Sequence, residues 1–149
     1  MVPTDEELSL VAGQVVTMLA DAGESVAAAE SCTGGWVAKA LTDIAGSSAV
    51  FGVGLVTYSN AAKQQFLNVP DFVLDKHGAV SRETVTAMAE GLRAISGADY
   101  AVAVSGIAGP DGGSEDKPVG TVFLSLASPE GVHVKGYRFN GDRGKVQRM

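Results

Sequence analysis

Thiol and imidazole chemistry are nearly absent from this sequence. Its 149 residues include one cysteine, Cys32, and two histidines, His77 and His133. A lone cysteine excludes an intrachain disulfide and suits a reducing cytoplasm. Basic residues are also in deficit: 11 Lys and Arg stand against 17 Asp and Glu, for a net charge of −6 and a pI of about 4.8. That balance argues against a broad electrostatic grip on DNA, RNA or an anionic membrane, because phosphate neutralisation needs a basic surface. It leaves room for a small anionic ligand held by local amides. No uninterrupted apolar run is long enough to span a bilayer. The N-terminal "MVPTDEELSL" lacks the basic-then-apolar order of a secretory signal. There is no internal repeat, low-complexity segment or domain boundary. No His/Cys/Asp/Glu spacing suggests a metal site, so neither metal nor cofactor is expected.

What is present is an ordinary globular composition, 46% hydrophobic and 19% charged. It is long enough for one domain over residues 1–149 with a sizeable core. The 19 glycines fall largely in clusters, which points to functional loops. Thr4 and Glu7 have capping-box spacing, and Leu8, Val11, Val15, Met18 and Leu19 recur on one helical face, with Gly23 as the stop. "ESVAAAE" is short and bracketed by glycines, which predicts a buried strand. Trp36, Val37, Ala40, Leu41 and Ile44 predict a helix closed by Gly46. "AVFGVGLVTYS" is valine-rich and predicts a central strand. "NAAKQQFLNV" predicts a short helix with Asn60 at its N-cap and Pro70 beyond its end. "DKHGAV" predicts a polar turn. Ser81 caps a longer helix with Val85, Met88, Ala89, Leu92 and Ile95 inside. "DYAVAVSG" is a strand, followed by the glycine-rich "GIAGPDGGSEDKPVG". "TVFLSLAS" and "VHVKGYRF" form a hairpin across Pro129-Glu130-Gly131, and a last helix starts near Asn140 or Asp142. This order predicts an α/β fold: a three-layer α/β/α sandwich whose mixed central sheet includes a C-terminal antiparallel hairpin.

In such folds, ligands bind at the loops after the strand C-termini. Three loops qualify: Ser31 to Gly35, Tyr58 to Lys63, and Ser105 to Gly113. The first, in "AAAESCTGGWVAKAL", sets a hydroxyl, a thiol and a second hydroxyl where a strand turns into a helix. One reading makes Ser31 or Thr33 a helix cap. The other makes Ser31 a nucleophile, with amides around Thr33, Gly34 and Gly35, or in the Ser105 to Gly109 loop, available to an oxyanion. A serine nucleophile needs a base. Neither histidine belongs to a candidate loop, whereas lysine is an alternative partner for serine. Lys63 sits in the first turn of a helix, where the dipole disfavours its charge, and burial lowers a lysine pKa further. Tyr58 just before it can relay a proton or fix the amine through its hydroxyl. Cys32 as nucleophile is a third reading, but it lacks a histidine partner and serves equally as a small buried hydrophobe. The third loop has no Walker or dinucleotide spacing and is consistent with a backbone cradle for a small ligand. Lys117 and Arg143 are candidate phosphate contacts.

The ordered motifs "AESCTGG", "VTYSNAAK", "GAVSRETVTAMAEG", "AVSGIAGPDGG", "KPVGTVFLSL" and "FNGDR" run along nearly the whole chain. Together they resemble the nicotinamide-nucleotide amidases, the CinA C-terminal domain family. The resemblance implies an α/β/α sandwich that hydrolyses nicotinamide mononucleotide to nicotinate mononucleotide and ammonia, without a metal. It also implies self-association as a homodimer or higher homo-oligomer. It places the nucleophile at Ser31, the tyrosine at Tyr58 and the lysine at Lys63. With the loop reading, it suggests substrate contacts from Thr33, Gly34, Gly35, Asn60, Ser105, Gly106, Gly109 and Arg143. Relatives often carry an additional N-terminal domain, so this sequence is expected to be the stand-alone form. The competing reading is a non-catalytic module associated with competence or DNA damage.

Overall fold

The computed structural model describes residues 1–149. Helix α1 (Asp5–Ala22) leads into strand β1 (Val26–Glu30) and helix α2 (Trp36–Thr42). A 3-10 turn, Ser47–Ala49, precedes strand β2 (Phe51–Val56), followed by helices α3 (Asn60–Leu67), α4 (Asp71–His77) and α5 (Arg82–Ser96). Strands β3 (Tyr100–Gly106), β4 (Thr121–Ser128) and β5 (Gly131–Arg138) and helix α6 (Arg143–Arg148) complete the chain. The five strands lie in the order β2-β1-β3-β4-β5. β1 runs parallel to both β2 and β3, and the β3-β4-β5 meander is antiparallel. This is the expected mixed sheet with its terminal hairpin.

Side chains alternate across the sheet and divide the core in two. Ala27 and Ala29 of β1, Ala101 and Ala103 of β3, and Ala127 of β4 face α3, α4 and α5. Val26 and Val104 face the opposite side, toward α1, α2 and α6. The alanines let helices lie close to the sheet. α5 supplies the main covering face through Val85, Met88, Ala89 and Leu92, all fully buried. The helices are also locally specified. Thr4 and Glu7 exchange both hydrogen bonds of a capping box, and Ser81 accepts from the Thr84 amide. Gly91 of α5 is needed for close approach, since a Cβ there would sit 1.9 Å from the carbonyl oxygen of Leu67.

Several expectations are revised. β2 is an edge strand rather than a central one, and its residues alternate between half-buried and exposed. Its valines are consistent with either position; only the crossover to β3 on the far side of β1 decides it. Ser59, not Asn60, caps α3: its hydroxyl accepts from the Ala62 amide, and Asn60 is the first helical residue. The segment ending in "DKH" is helical as α4, with His77 in its last turn. On α1 the buried residues are Ala12 and Val16, with Leu19 packed beside them, while Val11, Val15 and Met18 are exposed; the inward face is offset around the helix from the expected one. Ile95 also lies outside the core, at 50% exposure near the end of α5.

Candidate active site

The C-terminal ends of β2, β1 and β3 are level with one another. Glu30 pairs with Val56 on one side and Val104 on the other. Pairing continues one step further, since the Thr57 amide donates to the Glu30 carbonyl at 2.9 Å and the Ser31 amide to the Val104 carbonyl at 3.0 Å. Thr57, Ser31 and Ser105 therefore form a row of hydroxyl residues at the sheet edge. Alternation sends Ser31 toward the α3–α5 side and Glu30 toward the α1–α2 side. All three row residues are buried, and the Thr57 and Ser105 hydroxyls have no hydrogen-bond partner in the protein.

Lys63 reaches this row from α3. Its Nζ lies 3.1 Å from Ser31 Oγ, 2.8 Å from the Thr57 carbonyl oxygen and 3.2 Å from the Tyr58 carbonyl oxygen. The side chain is fully buried, and no carboxylate pairs with it. Burial disfavours the ammonium and lowers the pKa from 10.5 to about 8; the nearby Cys32 opposes this weakly. A neutral amine has two N–H donors and one lone pair. The two carbonyls accept the two donors, which leaves the lone pair for the Ser31 O–H. The arrangement thus suits an amine that receives a proton from serine.

The turn after β1 answers the capping question. Helix α2 has Gly35 at its N-cap, with no side-chain cap there, and Gly34 and Gly35 hold φ of 62° and 104°. These left-handed conformations favour glycine. Neither Ser31 nor Thr33 caps the helix. Glu30 does so from the strand: its Oε1 accepts from the Val37 amide at 2.9 Å and its Oε2 from the Ala38 amide at 2.9 Å. Oε1 also accepts from the Thr33 hydroxyl at 2.6 Å. Glu30 is 1% exposed, and sequence reasoning missed it. The available signal was an acid closing a run of buried small residues, a position that demands donors nearby.

Cys32 points to the opposite side of the sheet from Ser31, into a cluster with Val104, Ala108, Val122 and Val146. Burial raises its thiol pKa to about 11, with a smaller contribution from Glu30. A thiol held protonated in this way is a poor nucleophile, which favours Ser31 over Cys32.

Arg143, the first residue of α6, joins two of the expected loops. Its Nη1 donates to the Gly109 carbonyl at 2.7 Å and its Nη2 to the Tyr58 hydroxyl at 2.6 Å. The Tyr58 ring is largely exposed, and its hydroxyl is directed to Arg143 rather than to the lysine; the backbone carbonyl of Tyr58, not its hydroxyl, fixes the amine. Gly106 ends β3 beside this loop, and a Cβ there would meet Cys32 Sγ at 3.1 Å. Asn60 is exposed and makes no hydrogen bond to the serine or lysine. Lys117 is tied elsewhere, with its Nζ donating to the His77 carbonyl at 2.6 Å. His77 lies 3.6 Å from Glu83 and His133 lies on the exposed side of β5, so neither serves the serine.

Residues 9–149 match the CinA C-terminal domain. The sequence is 54% identical over 147 residues to the nicotinamide-nucleotide amidohydrolase PncC of Escherichia coli K12, covering 98% of this chain and 89% of that protein. It is 55% identical over 135 residues to a CinA-like protein of Geobacter sulfurreducens, covering 91% of this chain but only 33% of that protein. The chain thus spans about a third of the length of such CinA-like relatives. A crystal structure of the competence/damage inducible protein CihA from Agrobacterium tumefaciens superposes with a TM-score of 0.93 at 45% identity, covering 99% of this chain and 89% of that one. The chain belongs to the CinA C-terminal domain family.

Proposed function

We propose that this protein is a nicotinamide-nucleotide amidase that uses Ser31 as nucleophile and Lys63 as general base. The observation that carries this reading is the buried Lys63 amine, 3.1 Å from the Ser31 hydroxyl and otherwise bonded to two carbonyls. The similarity to PncC, whose name states the activity, supports nicotinamide mononucleotide as the substrate. Ser31 Oγ attacks the carboxamide carbon as its proton passes to Lys63 Nζ. The carbonyl π pair moves to oxygen and gives a tetrahedral oxyanion. The oxyanion then re-forms the carbonyl and expels the amide nitrogen, which takes the proton from Lys63 and leaves as ammonia. Water attacks the resulting ester while Lys63 accepts a proton. Ser31 leaves with that proton restored, and nicotinate mononucleotide is released.

In this reading the oxyanion is held by amides of the Ser31–Gly35 turn, and Thr33, Gly34, Gly35, Asn60, Ser105, Gly106 and Gly109 border the substrate. Arg143 meets the phosphate from its position between Gly109 and Tyr58. Tyr58 orients that guanidinium, so its part in the chemistry is indirect. The protein works in the cytoplasm as a single domain over residues 1–149. No helix is long and apolar enough to cross a membrane. It assembles as a homodimer or higher homo-oligomer, a proposal supported by the exposed Leu10, Val11 and Met18 on α1.

Ammonia release from nicotinamide mononucleotide by the purified chain, compared with Ser31→Ala, tests the function. Release that depends on Ser31 is the expected result; equal release by the variant contradicts it. Salt-dependent DNA binding without amidase activity would favour the non-catalytic module instead, a reading opposed by the acidic charge and the assembled serine–lysine pair.

A further inference from the structure

The geometry points to Glu30 as the positioning residue of the oxyanion site, an inference that rests on the amidase reading. Glu30 immediately precedes the nucleophile but projects to the other side of the sheet. Its carboxylate accepts three hydrogen bonds, from Thr33 Oγ1 at 2.6 Å and from the Val37 and Ala38 amides at 2.9 Å each. It is buried and meets no cation among the ion pairs of the structure.

These three bonds have two consequences. First, two of them occupy the Val37 and Ala38 amides in the first turn of α2, so these cannot also serve an oxyanion. The Gly34 amide donates to the Ser31 carbonyl and the Trp36 amide to the Thr33 carbonyl. The amides of Cys32, Thr33 and Gly35 have no acceptor within the protein, and those of Cys32 and Thr33 directly follow the nucleophile. A pair of preorganised N–H donors beside the attacking oxygen is what a tetrahedral intermediate requires. Second, Glu30 fixes where these donors stand. The turn is held at one end by the Ser31 amide on the Val104 carbonyl and at the other by the Thr33 hydroxyl on Glu30. Loosening the second anchor frees the Thr33 amide while leaving Ser31 and Lys63 in place, because that pair lies across the sheet.

A glutamine at position 30 keeps the size but lacks one acceptor. Turning its oxygen toward Thr33 and Val37 sets its NH2 against the Ala38 N–H, and the opposite orientation gives up the other two bonds. The test uses the purified full chain with nicotinamide mononucleotide, alongside Ser31→Ala. Glu30→Gln is expected to lower kcat about a hundredfold, as for loss of an oxyanion donor, with KM within about threefold. Competitive inhibition by nicotinate mononucleotide is expected to stay unchanged. The alkaline rise of activity set by Lys63 is expected at the same pH, since the amine's surroundings are intact. Thr33→Val, which removes the hydroxyl anchor, lowers kcat about tenfold, and Thr33→Ser restores most of it.

Near-normal kcat in Glu30→Gln overturns the assignment. So does a loss that comes with a raised KM and a displaced pH profile, the signature of a disordered site. If Glu30→Gln does not fold, the Thr33 pair decides: equal kcat for Thr33→Val and Thr33→Ser overturns the proposal. A wild-type chain with no Ser31-dependent ammonia release sinks the amidase reading itself. Normal Glu30 and Thr33 variants in an active enzyme sink only this one.

Discussion

Lys63 Nζ stands 3.1 Å from Ser31 Oγ, and the two residues arrive from different elements, one from the first turn of α3 and the other from the end of β1. Their meeting depends on β1 and β2 being adjacent and in register, so that the Thr57 and Tyr58 carbonyls lie beside the serine and receive the amine. The lysine has no counter-ion. Its charge is disfavoured by burial, which in the proposed reading fits it to act as a base.

Removal of the base is the first prediction. Lys63→Ala and Lys63→Arg should each lower kcat by about a hundredfold or more, since a guanidinium keeps its proton at any working pH. Arginine retains the charge, so near-normal turnover of Lys63→Arg would reduce the lysine to an electrostatic role.

Stability carries the same signature with a defined sign. The lysine pKa is about 8 when folded and 10.5 at its ordinary value, so between these values the unfolded chain binds more protons. Folding stability from this group therefore rises as pH increases from about 8 to about 10.5. It is lower by about 3 kcal/mol below that window than above it. Chemical denaturation of wild type and Lys63→Met across this range measures it. Lys63→Met should lose that slope, and an unchanged slope would show that Lys63 is not the group responsible.

Arg143 links Tyr58 to Gly109, and in the proposed reading it faces the substrate phosphate. Arg143→Ala should raise KM about tenfold or more with a smaller change in kcat, as expected for losing a charged hydrogen bond made throughout the reaction. Tyr58→Phe should give a weaker effect in the same direction, because only the orientation of the guanidinium is lost. Unaltered KM in Arg143→Ala would remove the residue from the binding site.

The packing prediction concerns Gly91. A Cβ there would meet the Leu67 carbonyl oxygen at 1.9 Å, so α5 and α3 must separate in Gly91→Ala. A loss of about 1–3 kcal/mol is expected in urea denaturation. Because α3 carries Lys63, activity should fall as well; a variant as stable as wild type would mean that the helices part without cost.

The proposed nucleophile and base could be picked out from the sequence for physical reasons, and the fold brings them together. Ser31 stands at a strand-to-helix junction rich in glycine, and Lys63 occupies a helical turn where lysine is unfavourable. Burial proved to be the chief cause of the lysine's lowered pKa, and this depends on the packing of α3 against the sheet. Glu30 was not legible as a cap because sequence reasoning looks for the cap at the residue next to the helix. Here the carboxylate reaches over seven intervening residues, past the turn, to Ala38 of α2. The direction of the Tyr58 hydroxyl was hidden too, since its partner Arg143 is distant in the chain. β2 read as central because valine content reports compatibility with a sheet, not the number of neighbouring strands. The order around β1 and the level strand ends come from tertiary pairing.

The most direct test of the serine–lysine account is the pH dependence of kcat/KM for ammonia release from nicotinamide mononucleotide, measured from about pH 6 to about pH 10. The account predicts activity that rises with pH and levels off above a midpoint near 8, the pKa of buried Lys63, with the rise absent in Lys63→Arg. A wild-type profile that is flat across this range, or the same rise retained in Lys63→Arg, would contradict it.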